Sequence, residues 1–131
     1  MKRILLSALI LIFAGSLWGA EKPVVLLLVD NKMSVLPISV AKDAPKETME
    51  AVKELASYIE KISGTKVNVI LNDSINTPAH AIWVGAQPNL EKVFPDLKLN
   101  FQYPEEILLT CNGQDAVIIG RDLKIGDKQM E

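Results

Sequence analysis

Residues 43–64, "DAPKETMEAVKELASYIEKISG", limit what this chain can fold into more than any other stretch. Met49, Val52, Leu55, Ala56, Ile59 and Ile62 recur at spacings of three and four, which places them on one face of a helix. Glu50, Lys53, Glu54, Ser57, Glu60 and Lys61 fall largely on the other side. Asp43 is placed to cap the start, Pro45 suits the first turn, and Glu47 adds negative charge near the positive end of the helix dipole. Gly64 supplies the left-handed residue that closes it. An amphipathic helix can also lie on a membrane or in a partner's groove. This polar face mixes acids with bases, whereas an anionic membrane selects a basic face. The helix is therefore expected to pack on a sheet of its own domain.

The remaining apolar runs have strand length. "VVLLLVD" (24–30) is a continuous β-favouring run and predicts a fully buried strand. "NKM" turns the chain into "SVLPISVAKD" (34–43), a second strand in which Pro37 removes a ladder donor, so an edge or a bulge is expected. "KVNVIL" (66–71) alternates, "NDSINTPA" (72–79) is a loop, and "HAIWVGA" (80–86) is the next strand. A short helical piece, "NLEKVFP" (89–95), stops at Pro95. In "EEILLTCNGQDAVIIGRD" (105–122), Asn112-Gly113 between two β patterns predicts a hairpin with positive φ at both residues. The order β-β-α-β-β-(short α)-β-β defines an α+β fold: a mixed sheet of about six strands with one main amphipathic helix on it.

The first twenty residues, "MKRILLSALILIFAGSLWGA", read as a secretory signal. Lys2 and Arg3 form the basic start, Ile4 to Phe13 the apolar run, and small residues follow at "AGS" and "GA". The run is half the roughly twenty residues a membrane span needs. Cleavage after Ser16 fits the small-x-small pattern, and cleavage after Ala20 leaves Trp18 at the −3 position. An uncleaved anchor helix is the alternative. No cysteine follows the apolar run, which argues against a lipoprotein anchor. Residues 21–131 then form a single domain in a secreted or periplasmic setting, with no membrane association after cleavage.

Charge and residue counts narrow the function classes. Beyond the signal, 12 basic residues face 16 acidic ones, and no basic run exceeds Lys2-Arg3, which argues against nucleic acid as a partner. One cysteine, Cys111, cannot form an internal disulfide, so the core must supply the stability. Ile107, Leu109 and Cys111 alternate onto one strand face, where a free thiol is expected as a small apolar core group. As a nucleophile it would need the single histidine, His80, which opens a different strand.

The "VGAQPNLEKVF" turn has a strand, a glycine and a helix start, as phosphate loops do. It lacks G-x-x-x-x-G-K-[ST] and G-x-G-x-x-G, and Pro88 removes a backbone donor, so Gly85–Pro88 is read as a connection only. Glu105-Glu106 are neighbours on a strand entrance and point apart, which excludes a glycosidase dyad on separate elements. One His and one Cys make no zinc site, and no cofactor is implied. Arg121 and Asp122 end the last strand, where a local ion pair or a ligand contact are the two readings. Trp83 is read as core rather than as a sugar platform, and the aromatic share of 5% is low for a carbohydrate surface. No catalytic or metal-binding residue is assigned, and ligand-binding residues are left unassigned.

Taken together, "AVKELASYIEKISGTKVNVI", "HAIWVGAQPNLEKVFP" and "PEEILLTCNGQDAVIIGRD" carry a resemblance over residues 24–122. The chain resembles the N-terminal domain of secreted bacterial proteins related to α-glucuronidases of glycoside hydrolase family 67. The same domain type precedes the barrel in β-N-acetylhexosaminidases. The resemblance implies a hexosaminidase domain 2-like α+β sandwich beside a (β/α)₈ barrel that carries the catalytic carboxylates. It also implies a glycine-led helix after "GRD" that covers the sheet. This sequence ends at Glu131 before any such helix, so a C-terminally incomplete domain is expected. The implied function is a non-catalytic accessory domain of an exported glycoside hydrolase-like protein that degrades polysaccharide. Its implied partners are its own missing barrel domain and carbohydrate. A free-standing exported glycan- or protein-binding module is the alternative.

Overall fold

A computed structural model of the chain describes residues 23–34 and 36–121. The export signal expected at 1–20, Asp122 and the tail 123–131 lie outside the described residues.

The strands sort into two sheets. β1 (Val29–Asp30) and β2 (Met33–Ser34) form a small antiparallel hairpin of their own. Its loop residues Asn31 and Lys32 have φ of 47° and 63°, the doubly left-handed turn whose twist matches paired strands. The main sheet contains β3 (Ile38–Ala41), β4 (Val69–Asn72), β5 (Ile82–Val84), β6 (Ile107–Cys111) and β7 (Ala116–Gly120), in the order β4-β3-β5-β7-β6. Four of these run parallel, and β6 is antiparallel to β7. Helix α1 (Lys46–Ser63) makes the crossover from β3 to β4, and the short α2 (Leu90–Val93) follows β5. The chain is an α+β protein, with one main helix on a mixed five-stranded sheet.

The alternation of side chains divides the core in two. Ile38, Val40, Ile82, Val84 and Ala116 face α1, where Val52 is buried and Met49, Leu55, Ala56 and Ile59 pack beside it. Ala81, Trp83, Val117 and Ile119 face the other side and meet Leu90 and Phe94 from the α2 segment. The central strands β3 and β5 are buried at every position, as parallel strands covered on both faces must be.

Four expectations change in detail. The run 24–30 is not a buried strand: only Val29–Asp30 pairs, and Val24, Val25 and Leu27 are exposed. Leu26 and Leu28 alone pack against the α1 side, because the centre of the sheet is already taken by β3. Pro37 does not force its strand to an edge. It stands one residue ahead of β3, where its missing donor costs no ladder bond and its carbonyl accepts from the Ile82 N–H at 2.8 Å. Asp43 does not cap α1. The cap position is Pro45, with no side-chain hydrogen bond, and the Met49 N–H opens the helical ladder onto the Pro45 carbonyl. Ile62, the last apolar position of the helix, is exposed.

Gly64 closes α1 at φ 71°, its N–H donating to the Glu60 carbonyl at 2.7 Å. A Cβ added there meets nothing within 4 Å, so only the left-handed backbone resists substitution. Gly64→Ala is expected to cost about 1 kcal/mol, read as a small fall in the urea midpoint with an unchanged m-value.

Candidate functional site

Open parallel sheets bind ligands beyond the carboxyl ends of their strands, where the strand order reverses. Here β4 lies on one side of β3 and β5 on the other, so that crevice falls between β3 and β5. The Gly85–Pro88 turn sits over it. Gly85, at φ 73°, donates its N–H to the Ile118 carbonyl at 2.9 Å, and the side chain of Gln87 turns down into the sheet. Its Oε1 accepts from Ser39 Oγ at 2.6 Å and Asn72 Nδ2 at 3.1 Å. Its Nε2 donates to the carbonyls of Ser39 and Val84 at 3.0 and 3.2 Å. Asn72 Nδ2 also donates to the Pro88 carbonyl at 2.9 Å. An amide has four such valences, and all four are used inside the fold. The crevice is filled by this chain's own glutamine, whose amide is fully bonded within the fold.

The loop after β4 closes on itself in the same way. Asn72 Oδ1 accepts from the Ser74 N–H and the Thr77 hydroxyl, and Asp73 accepts from the N–H groups of Ile75 and Asn76. The Asn76 N–H leads the interactions that hold the Asp73 carboxyl below its ordinary value, with Lys42 adding its charge at 3.7 Å.

A second polar cluster joins β5 to the hairpin. Asp115, in the loop between β6 and β7, is 3% exposed. Its Oδ1 accepts from the Ala81 N–H and the Trp83 indole Nε1, both at 2.8 Å. Its Oδ2 lies 2.9 Å from His80 Nδ1, which carries the ring proton when the carboxylate accepts there. A buried carboxylate orienting a half-exposed imidazole is the base-and-orienter half of a hydrolytic triad. No nucleophile stands beside it among the described residues. The hollow of about 230 Å³ beside His80 is lined by Leu26, Leu27, Leu36, Gly113 and Gln114, with no hydroxyl or thiol. The cluster secures the indole and the start of β5.

The turn that delivers Asp115 differs from the expected Asn-Gly geometry. Gly113 has φ 93°, while Asn112 is not left-handed and instead uses its side chain, accepting from the N–H groups of Gln114 and Asp115. The two-residue loop is Gly113-Gln114, one position later than read from sequence, with glycine at its first position.

The other residues singled out from sequence do not converge. Cys111 is partly buried, packs on the α1 side, and lines a different hollow from His80. Glu105 is exposed, and the Glu106 carboxylate accepts from the N–H groups of Gln102 and Tyr103, which fixes the entrance to β6. Arg121 is exposed just past β7. Trp83 is fully buried. Gln87, Asn72 and Asp115 carry no motif that marks them in the sequence. Their one sequence signal is indirect: a tryptophan inside a buried strand requires an acceptor for its indole N–H.

A further concave surface is apolar. A hollow of about 360 Å³ opens between α1 and the hairpin, walled by Leu55 and Ile59 on the helix, Leu109 and Ile118 on the strands, and Leu26 and Leu28 at one end. Leu109, on its hairpin side, is 70% exposed. Among the described residues no three His, Cys, Asp or Glu side chains group to hold a metal, and no helix is long and apolar enough to cross a membrane.

These features define an α+β domain whose two polar clusters are bonded within the fold and which carries an apolar hollow between α1 and the β6–β7 hairpin. No protein-family model, no curated protein and no solved structure matches the chain.

Proposed function

We propose that this chain is a non-catalytic accessory domain of an exported glycoside hydrolase-like protein, and that further polypeptide of that protein packs into the apolar hollow. The observation that carries the reading is the hollow itself. An apolar concavity with Leu109 at 70% exposure is poorly suited to water and well suited to a packed partner. The polar clusters support the same reading, since no hydroxyl or thiol among the described residues lines the hollow beside the His80–Asp115 pair and Gln87 fills the crevice. The reaction, in this reading, belongs to the barrel that the sequence resemblance implies.

The coding sequence past the codon for Glu131 tests it. An open frame running into an amphipathic helix and an alternating β/α pattern supports the accessory role. A stop codon, together with a cooperative melt of the purified chain, overturns it. Leu109 gives an independent check: Leu109→Ser in the isolated chain is expected to change stability by no more than about 0.5 kcal/mol, the behaviour of a surface position. A loss of several kcal/mol in thermal unfolding would make Leu109 part of a closed core and remove the basis for a docking hollow.

A further inference from the structure

We infer that Asn112-Gly113 is a deamidation site which the folded hairpin holds in an unreactive arrangement, so that opening of this turn is recorded as a covalent change. Asn112 is the one asparagine of the sequence followed by glycine. Deamidation of an asparagine begins when the backbone nitrogen of the next residue attacks its side-chain carbonyl carbon. Here the Gly113 nitrogen bonds to Asn112 Cγ and loses its proton to solvent, the Cγ–Nδ2 bond breaks, and ammonia leaves a cyclic imide. Water then opens the imide at either carbonyl. One opening gives aspartate, and the other gives isoaspartate, in which the main chain runs through Cβ and Cγ. Water is the only co-reactant. Glycine favours the attack because no Cβ crowds its nitrogen. Asn112, Gly113 and Gln114 are all exposed to the solvent that takes the proton.

The fold withholds the geometry, not the reagents. The Asn112 N–H donates to the Asp115 carbonyl at 3.1 Å, which carries the β6–β7 pairing past Cys111↔Ala116 and keeps the Asn112 backbone in line with its strand. Its side-chain amide is held at both ends. Oδ1 accepts from the Gln114 and Asp115 N–H groups at 3.0 and 2.8 Å, and Nδ2 donates to the Val93 carbonyl at 3.3 Å. Closing the imide needs the Gly113 nitrogen swung over Cγ by rotation about the Cα–C bond of Asn112, away from the extended backbone. That rotation breaks the bond to Asp115 and pulls the amide from its partners. The two N–H groups on Oδ1 polarise the carbonyl, but polarisation without an aligned nucleophile gives little rate. The reaction therefore runs from the open turn. Its products do not close the turn again equally well. Aspartate keeps the acceptors and loses the donor to Val93. Isoaspartate adds a main-chain atom between Cys111 and Ala116, which shifts Asp115 away from the Trp83 indole and the Ala81 N–H.

Peptide mapping of the full chain by mass spectrometry is the test, after incubation at mildly alkaline pH in native buffer and in denaturing urea. In urea Asn112 is expected to react faster than every other asparagine of the chain. In native buffer it is expected to react roughly tenfold more slowly than in urea, because the reaction must wait for local opening. Equal rates in the two conditions overturn the inference. So does a native rate above the urea rate, which would make the donors on Oδ1 accelerators rather than guards, and so does another asparagine overtaking Asn112 in urea. The isoaspartyl chain, separated by chromatography, is expected to melt at a lower temperature than the parent. An unchanged midpoint overturns the link between this turn and the placement of Asp115.

Discussion

Asp115→Ala is expected to destabilise the fold by about 3–5 kcal/mol and to lower the thermal midpoint by more than about 10 °C. The carboxylate is the acceptor for the Trp83 indole and the Ala81 N–H, both buried, so its removal strands two donors away from water. Unpaired buried donors cost more than the net worth of the bonds they made. Asp115→Asn separates this from a simple loss of packing. The amide oxygen can still accept from the indole and the Ala81 N–H, and His80 can shift its proton to Nε2 and accept from the amide. The asparagine variant is therefore expected to lose only about 1–2 kcal/mol. Equal losses in the two variants, in matched urea titrations, would show that Asp115 does not hold β5 through its oxygens.

Gln87→Ala is the second large effect, about 2–4 kcal/mol, because Ser39 and Asn72 are almost fully buried and both give a hydrogen to the Gln87 carbonyl oxygen. The isosteric Gln87→Glu is expected to be no better at neutral pH. A carboxylate still accepts from Ser39 and Asn72, but its second oxygen would face the carbonyls of Ser39 and Val84, where the wild-type NH₂ donates. Protonation restores one donor, so the folded state favours the acid form and raises the pKa of that glutamate. A group whose folded pKa is raised contributes stability at low pH and loses it as pH rises through that pKa. The glutamate variant should therefore gain stability relative to wild type as the pH falls toward the carboxylate range. A flat difference across pH would mean that the turn opens and leaves the side chain in solvent.

The sequence made some elements legible and hid others for physical reasons. Helix α1 was readable because one face repeats at 3.6 residues and Gly64 ends it, and the structure places it at Lys46–Ser63. The interior strands were readable as short β-branched runs, since burial on both faces leaves no polar alternation to confuse with a helix. Strand order was not readable, because it depends on which faces meet after the crossover. The run "VVLLLVD" misled for the same reason: it has the composition of a central strand, and β3 holds that place. Pro37 misled by one residue, the difference between breaking a ladder and preceding it. Gln87 and Asp115 were hidden because each looked like an ordinary turn residue. What they do depends on Ser39, Asn72 and Trp83, which lie far off in the chain.

The placement of Asp115 also bears on how the chain reaches its folded state. Most pairings in the main sheet are remote: joining β3 to β5, for example, brings Ile38 against Ile82. Closing such long loops is entropically slow. The β6–β7 hairpin is the exception in the main sheet, since only the turn after Cys111 separates its strands. Within that turn the Asn112 side chain fixes the Asp115 backbone, a contact that involves no other strand. The acceptor for the buried Trp83 indole thus belongs to the most local pairing of the main sheet, so a long-range contact rests on a short-range one.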